Sequence, residues 1–210
     1  MKGYLTVDGE FINKITIDRS DFICRVKGIE SEEQAKDYIN SVRKKESLAT
    51  HNCYCYIADD IGLIQKFSDD GEPQGTAGMP MLNVLKNKKL YKTVAVVTRY
   101  FGGIKLGAGG LVRAYGSAVI ECLKNAKILD VKSAVFVDIS LEYDGYSNLL
   151  RFLEGQKCKI ISTDFLDKIK ISLAVEEENE NSFFNFHRAL NDFFNGKITA
   201  EKVKQGFFAF

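Results

Sequence analysis

The 210-residue sequence lacks an excess of charge of either sign. Lysine and arginine total 29 against 28 aspartate and glutamate residues, so the formal net charge is +1. A chain this close to neutral produces no long-range field that would attract a nucleic acid or a membrane surface. Any basic surface that binds a polyanion must therefore be local.

Long apolar segments are also missing. The first residues, MKGYLT, contain no apolar run of the kind found in signal peptides, and no segment approaches the roughly 20 apolar residues of a membrane-spanning helix. The five cysteines are an odd number without the spacing of a disulfide framework, which favours reduced thiols. We therefore expect a cytoplasmic protein with no membrane partner and no disulfide bond.

No internal repeat, low-complexity segment or flexible linker is present, and the composition is ordinary for a folded protein. Residues 1–20 are weakly patterned and predict only an edge strand or an arm. Ser31 and Gln34 form a capping box at the start of an amphipathic segment. The remaining patterns predict strands at 22–29, 52–58, 63–68 and 93–98, and helices at 32–46, 81–89 and 111–126.

After Ile128 the pattern changes to strand, helix, two strands, helix and strand. This βαββαβ order within roughly 75 residues is typical of the ferredoxin-like arrangement. We place the boundary between residues 133 and 134, which gives domains 1–133 and 134–210. The predicted fold class is α+β with two domains, an N-terminal α/β domain and a ferredoxin-like C-terminal domain.

The most unusual segment is residues 99–116, RYFGGIKLGAGGLVRAYG, which follows the apolar strand 93–98. Glycine permits positive φ angles and close approach of the backbone to another group. A strand, a glycine-rich loop and a helix start present free N–H groups to an anion, although packing explains the glycines equally well. The candidate anion- or nucleic-acid-binding residues are Arg99, Tyr100, Gly102, Gly103, Lys105, Gly107, Gly109, Gly110 and Arg113.

A second loop, residues 69–80, has the sequence DDGEPQGTAGMP and contains both prolines of the chain. Asp69, Asp70 and Glu72 are close enough in sequence to hold a divalent cation through carboxylate oxygens. They could instead pair with Arg99 and Arg113, or cap Thr76 and the following turn. We favour pairing or capping, and we expect no metal or cofactor. Both loops join a strand to a helix, so we expect them to face each other.

The tripeptide His51-Asn52-Cys53 invites two chemical interpretations. On a strand, His51, Cys53 and Cys55 lie on one face, which suggests a Cys–His nucleophile or a zinc site. A histidine two residues before a cysteine on a regular strand is poorly placed to deprotonate it, and zinc would need further ligands. A supporting role through packing or hydrogen bonding is therefore the default.

Together, residues 51–53, 69–80 and 98–117 resemble the IMPACT family in its bacterial YigZ/YvyE-type branch. The resemblance implies an N-terminal domain similar to the second domain of the fifth small-subunit ribosomal protein. It also implies a C-terminal domain similar to one in a ribosomal translocation factor. Eukaryotic relatives regulate translation initiation by competing for an activator of a stress kinase. They carry a partner-binding domain that is not found within these 210 residues, so only a looser link to translation or RNA is implied.

Two functions follow from these patterns. The first is a translation-linked regulator that binds RNA, the ribosome or a translation factor, with Arg99, Lys105 and Arg113 holding phosphates and Tyr100 or Phe101 stacking a base. The second is an enzyme that acts on a phosphorylated or nucleotide-like small molecule. No complete catalytic constellation is visible, so the enzyme ranks second. A deep, closed pocket favours the enzyme, and an open basic groove favours the binding protein.

Overall fold

A computed structural model describes residues 3–210 as an α+β chain with two compact units. Tyr4–Leu129 form the N-terminal unit, and Asp130–Phe210 with Gly3 form the C-terminal unit. The division falls inside a strand, slightly before the domain boundary predicted at 133/134. Met1 and Lys2 of the predicted N-terminal arm lie outside the described residues. No helix of the described chain is long and apolar enough to cross a membrane.

The N-terminal unit contains three helices and six strands that lie wholly within it. Two strands, β1 and β2, occupy the first 20 residues, where we predicted only an edge strand or an arm. The elements are β1 (Tyr4–Val7), β2 (Glu10–Ile17), β3 (Ser20–Gly28), α1 (Glu32–Lys45), β4 (His51–Ile57), β5 (Gln65–Ser68), α2 (Gly78–Asn87), β6 (Thr93–Tyr100) and α3 (Gly107–Lys124).

Five of these strands form an antiparallel sheet in the order β2-β3-β6-β4-β5. Strands β5 and β6 are both antiparallel to β4, which lies between them, and therefore run in the same direction. Their carboxyl ends meet at one edge of the sheet, and β4 begins at that edge. The β5–α2 loop, the β6–α3 loop and His51 are consequently close to one another.

The two faces of this sheet are covered by different helices. Helices α2 and α3 pack on one face through a core that includes Phe22, Met81 and Tyr115. Helix α1 packs on the other face through Tyr38, Ile39 and other apolar side chains. Ser31 caps the start of α1 as predicted, since its Oγ accepts the Gln34 N–H. Gln34 also reaches back, but its Oε1 accepts the N–H of Glu30 and not that of Ser31, so the full capping box is not formed.

The C-terminal unit has the predicted βαββαβ order. The unit's own four strands, β7 (Ile128–Leu141), β8 (Cys158–Phe165), β9 (Ile169–Glu176) and β10 (Thr199–Ala209), pair antiparallel in the order β10-β7-β9-β8 that is typical of ferredoxin-like domains. Helices α4 (Tyr146–Leu153) and α5 (Ser182–Phe194) pack against them. The predicted α+β class with two domains is confirmed. A 3₁₀ turn (Tyr143–Gly145) precedes α4. None of the five cysteines forms a disulfide bond in this structure.

Candidate functional site

A cleft of about 460 Å3 opens between the β5–α2 loop and the β6–α3 loop. Both loops contribute side chains to it, and β4 contributes its first residue. The polar lining residues include His51, Glu72, Arg99 and Lys105, and the apolar ones are Pro73, Phe101, Leu106, Ala108 and Leu111. The cleft therefore combines charged groups on some walls with apolar surface on others.

Glu72 is the buried acceptor of the cleft. Its Oε1 accepts a hydrogen bond from Arg99 Nη1 at 2.6 Å and another from the Tyr115 hydroxyl at 2.8 Å. Burial raises the pKa of the Tyr115 hydroxyl well above its usual range, so Tyr115 remains a donor at neutral pH. Glu72 also forms a buried ion pair with the Arg99 guanidinium. Tyr115 belongs to the apolar stripe of α3, and that stripe gave no sign of its polar role.

Arg99, a predicted phosphate ligand, is 5% exposed and already pairs with Glu72. Its guanidinium carbon lies 5.3 Å from the ring centre of Phe22 and 5.4 Å from that of Phe101. Nη2 donates to Ser20 Oγ at 3.3 Å, while the buried Nε has no hydrogen-bond partner in the described structure. Most of the positive charge predicted for this position is therefore balanced within the protein.

His51 presents its Nε2 atom to the same cleft. Its Nδ1 lies 2.8 Å from the backbone carbonyl oxygen of Asp70, which can only accept a hydrogen bond. Nδ1 therefore carries the hydrogen in the neutral ring, and Nε2 offers a lone pair 3.9 Å from Glu72 Oε1. This nitrogen can accept a hydrogen bond from a ligand or take a proton from one.

The other carboxylates of the second loop organise the loop itself. Asp69 accepts the N–H groups of Gly75, Ala77 and Gly78 at 2.7–3.0 Å, which fixes the entry into α2. Thr76 Oγ1 donates to the carbonyl of Pro73 at 2.6 Å. The three carboxylates thus have different partners, and residues 3–210 contain no group of three His, Cys, Asp or Glu side chains that could hold a metal ion.

Asp70 connects the loop to two other elements. Its carboxylate accepts the Asn52 N–H at 2.7 Å and forms an ion pair with Arg43 of α1. Its own backbone has a φ of +45°, in the left-handed region that non-glycine residues seldom adopt. Asp70 therefore holds the loop against β4 and α1, and it does not line the cleft.

Tyr100 and Asn52 lie on the opposite face of the sheet, beside α1. The Tyr100 hydroxyl donates to Glu46 Oε2 at 2.7 Å, and Asn52 Oδ1 accepts the Thr98 hydroxyl at 2.8 Å. Side chains alternate between the faces of a strand, so Tyr100 cannot share the cleft with its neighbour Arg99. A stacking role for Tyr100 in this cleft is wrong, whereas Phe101, after the strand ends, does line it.

Cys53 lies on the same face as His51 but is fully buried. Its Sγ donates to the carbonyl of Asp69 at 2.9 Å, and burial raises the pKa of the thiol to about 12. Only a minute fraction of a thiol with this pKa is deprotonated at neutral pH. Cys53 therefore fits the supporting role and not that of a nucleophile.

The glycines of the first loop are accommodated for different structural reasons at different positions. A Cβ on Gly102 would lie 1.9 Å from the backbone oxygen of Arg19, so packing requires glycine there. Gly107 has a φ of +69°. Helix α3 begins at Gly107 and not at residue 111, so Gly107, Gly109 and Gly110 form its first turn. At Gly109 neither a positive φ nor a neighbour within 4 Å requires glycine.

The remaining predicted cations differ in position. Lys105 is exposed at the cleft beside the N-terminus of α3, and its ammonium has no hydrogen bond or ion pair within residues 3–210. No side chain caps that N-terminus. Arg113 is exposed further along α3 and does not line the cleft, while Gly103, with a φ of +88°, lies in the loop itself.

Comparison with known proteins agrees with this architecture. The Impact N-terminal domain family matches residues 18–123, and the Domain of unknown function (DUF1949) matches residues 139–197. The chain is 38% identical over 206 residues to IMPACT family member YvyE of Bacillus subtilis, covering 98% of this chain and 92% of that protein. It is 34% identical over 192 residues to IMPACT family member YigZ of Escherichia coli, and the match covers 90% of this chain and 92% of that protein.

Two further similarities extend this result. Protein IMPACT-A of Xenopus tropicalis is 37% identical over 98 residues, which are 44% of this chain and 30% of that protein. A solved structure described as the crystal structure of a hypothetical protein has a TM-score of 0.62 and 31% identity, and the match covers 97% of this chain and 98% of that one. With full-length relatives at this identity, the chain belongs to the IMPACT family.

Proposed function

We propose that this protein is a translation-linked RNA-binding protein whose N-terminal cleft binds a phosphate group. The observation that carries the proposal is the pairing of an unpartnered Lys105 with the uncapped N-terminus of the 18-residue helix α3. Exposed N–H groups at the start of a helix and the positive end of its dipole favour an anion.

The charge distribution explains why the site suits a single phosphate and not an extended polyanion. Glu72 balances Arg99, so Lys105 supplies the uncompensated charge of the cleft. The net charge of +1 adds no attraction from the rest of the surface. We therefore expect modest affinity and one dominant phosphate contact. The link to translation follows from what the family resemblance implies.

The direct test measures binding of a short 5′-phosphorylated single-stranded RNA by fluorescence anisotropy at two salt concentrations. Lys105→Ala should weaken binding and reduce the slope of log affinity against log salt by about 0.7, the value of one phosphate contact on a single strand. Lys88→Ala is the matched control, because Lys88 is an exposed lysine at the carboxyl end of α2. Equal affinity and slope in wild type and Lys105→Ala would refute the assignment. Co-sedimentation with ribosomes tests the link to translation.

A second candidate function is an enzyme that acts on a phosphorylated small molecule. It is favoured by the cleft volume of about 460 Å3, within the roughly 300–1,000 Å3 of small-molecule sites, and by the His51 Nε2 lone pair. His51 would act as the base. Incubation with phosphate esters, with release of inorganic phosphate or loss of substrate as the readout, tests it. Turnover that His51→Gln abolishes in a folded protein would establish it.

A further inference from the structure

The outer wall of the cleft ends in an aromatic ring that is available for stacking. Phe101 is 46% exposed, although it lines the cleft. The Arg99 guanidinium lies over the Phe101 ring, with its carbon 5.4 Å from the ring centre. A planar ligand ring can stack on the exposed part of Phe101.

We propose that the cleft takes a single nucleotide unit, with its base on Phe101 and its phosphate beside Lys105 and the N-terminus of α3. The inference rests on the proposed phosphate binding and names the class of ligand. Lys105 follows Phe101 by only four positions, and α3 begins two residues later. Phosphate and ring contacts therefore lie within one short segment. A volume of about 460 Å3 lies within the range of small-molecule sites and accommodates one nucleotide unit.

His51 distinguishes a nucleotide from other aromatic phosphates. Because Nδ1 donates to the Asp70 carbonyl, the neutral ring offers a free acceptor at Nε2. This atom favours a ligand with an N–H or O–H donor. Ribose hydroxyls and the exocyclic amines of bases are such donors, whereas the ring of a phosphotyrosine has none. This preference favours a nucleotide.

The experiment compares three probes by isothermal titration with the full chain: inorganic phosphate, ribose 5-phosphate and adenosine 5′-monophosphate. Wild type should bind the nucleotide at least about fivefold more tightly than ribose 5-phosphate, the effect of stacking one base. Phe101→Ala and Phe101→Leu should both remove this preference, and Phe101→Tyr should keep it. Phe184→Ala is the matched control, because Phe184 is 62% exposed on α5 of the other unit. The control should leave all three affinities unchanged.

The outcomes separate this inference from the phosphate site itself. Equal affinity for the nucleotide and ribose 5-phosphate, with both weakened by Lys105→Ala, would overturn the nucleotide inference and leave the phosphate site intact. No dependence of any probe on Lys105 would overturn both. Phenyl phosphate binding as tightly as the nucleotide, in a Phe101-dependent manner, would replace the nucleotide by an aromatic phosphate. A 5′-phosphorylated RNA tetranucleotide that binds more tightly than the mononucleotide would identify the ligand as an RNA end, and one that binds no better would identify a free nucleotide.

Discussion

Replacing Glu72 with glutamine removes the charge that balances a buried arginine while it keeps the size of the side chain. The side chains of Glu72 and Arg99 are 4% and 6% exposed, and Nη1 lies 2.6 Å from Oε1. Removing one partner of a buried ion pair leaves an uncompensated charge, and the loss of unfolding free energy is about 3–5 kcal/mol. Such a loss is a large part of the total stability of a domain, which is roughly 5–15 kcal/mol.

A second substitution isolates the cause. In Glu72→Gln with Arg99→Met the unpaired charge is gone, so this double variant should be more stable than Glu72→Gln alone. Asp8→Asn is the matched control, because Asp8 and Lys127 form an exposed ion pair at 2.6 Å with side chains 43% and 68% exposed. Loss of an exposed pair should lower the free energy of unfolding by at most about 1 kcal/mol.

Urea unfolding that is monitored through the hydrogen exchange of peptides from residues 4–129 measures these effects in the N-terminal unit alone. The reasoning is refuted if Glu72→Gln changes the unfolding free energy no more than Asp8→Asn does. It is also refuted if the double variant is less stable than Glu72→Gln, because relief of an unpaired charge would then not be the dominant effect.

Three further predictions concern other parts of the chain. Gly109→Ala should raise the unfolding free energy of the N-terminal unit in urea titrations, since the position is helical and a Cβ meets nothing within 4 Å. The gain should stay below the roughly 0.8–1 kcal/mol of a helix-interior glycine because Gly109 lies in the first turn, and a loss of stability would contradict this. Thiol titration of denatured, unreduced protein should find all five cysteines. In native protein, burial raises the thiol pKa of Cys158 to about 11 and of Cys53 to about 12, so both should react slowly, and Cys158, the less buried of the two, should react before Cys53. A fragment of residues 130–210 should unfold cooperatively with dispersed amide resonances and be more stable than 134–210, because Ala209 of β10 pairs with Val131; equal stability would show that this pairing contributes nothing.

The sequence predicted the elements well because their signals are local. Apolar periodicity and the Ser31 cap indicate α1 from residues within a few positions of one another, and the structure begins α1 at Glu32. We predicted too late a start for α3 because glycine has poor helix propensity. The N–H groups of the first turn have no intrahelical acceptors, however, so glycine is tolerated at these positions.

The partners within the candidate site could not be predicted in the same way. Glu72 and Arg99 are 27 positions apart, and Arg99 and Ser20 are 79 apart. Which of several acidic and basic residues pair depends on strand order and on the face to which each side chain points. The sequence suggested that the loops meet, but it could not show that Glu72 neutralises Arg99 or that Tyr100 faces α1.

The order of strands in the N-terminal sheet also constrains how the chain folds during synthesis. The β2–β3 and β4–β5 hairpins are made first, yet they do not pair with each other, because β6 lies between β3 and β4. The sheet can be joined only after Thr93–Tyr100 has left the ribosome, and Phe22 and Cys53 gain their α3 covering later still. Pairings of this sequence separation form slowly, since a long loop must close before any contact rewards it. A nascent chain that ends before residue 93 therefore exposes two separate hairpins with unpaired edges, which makes it prone to aggregation.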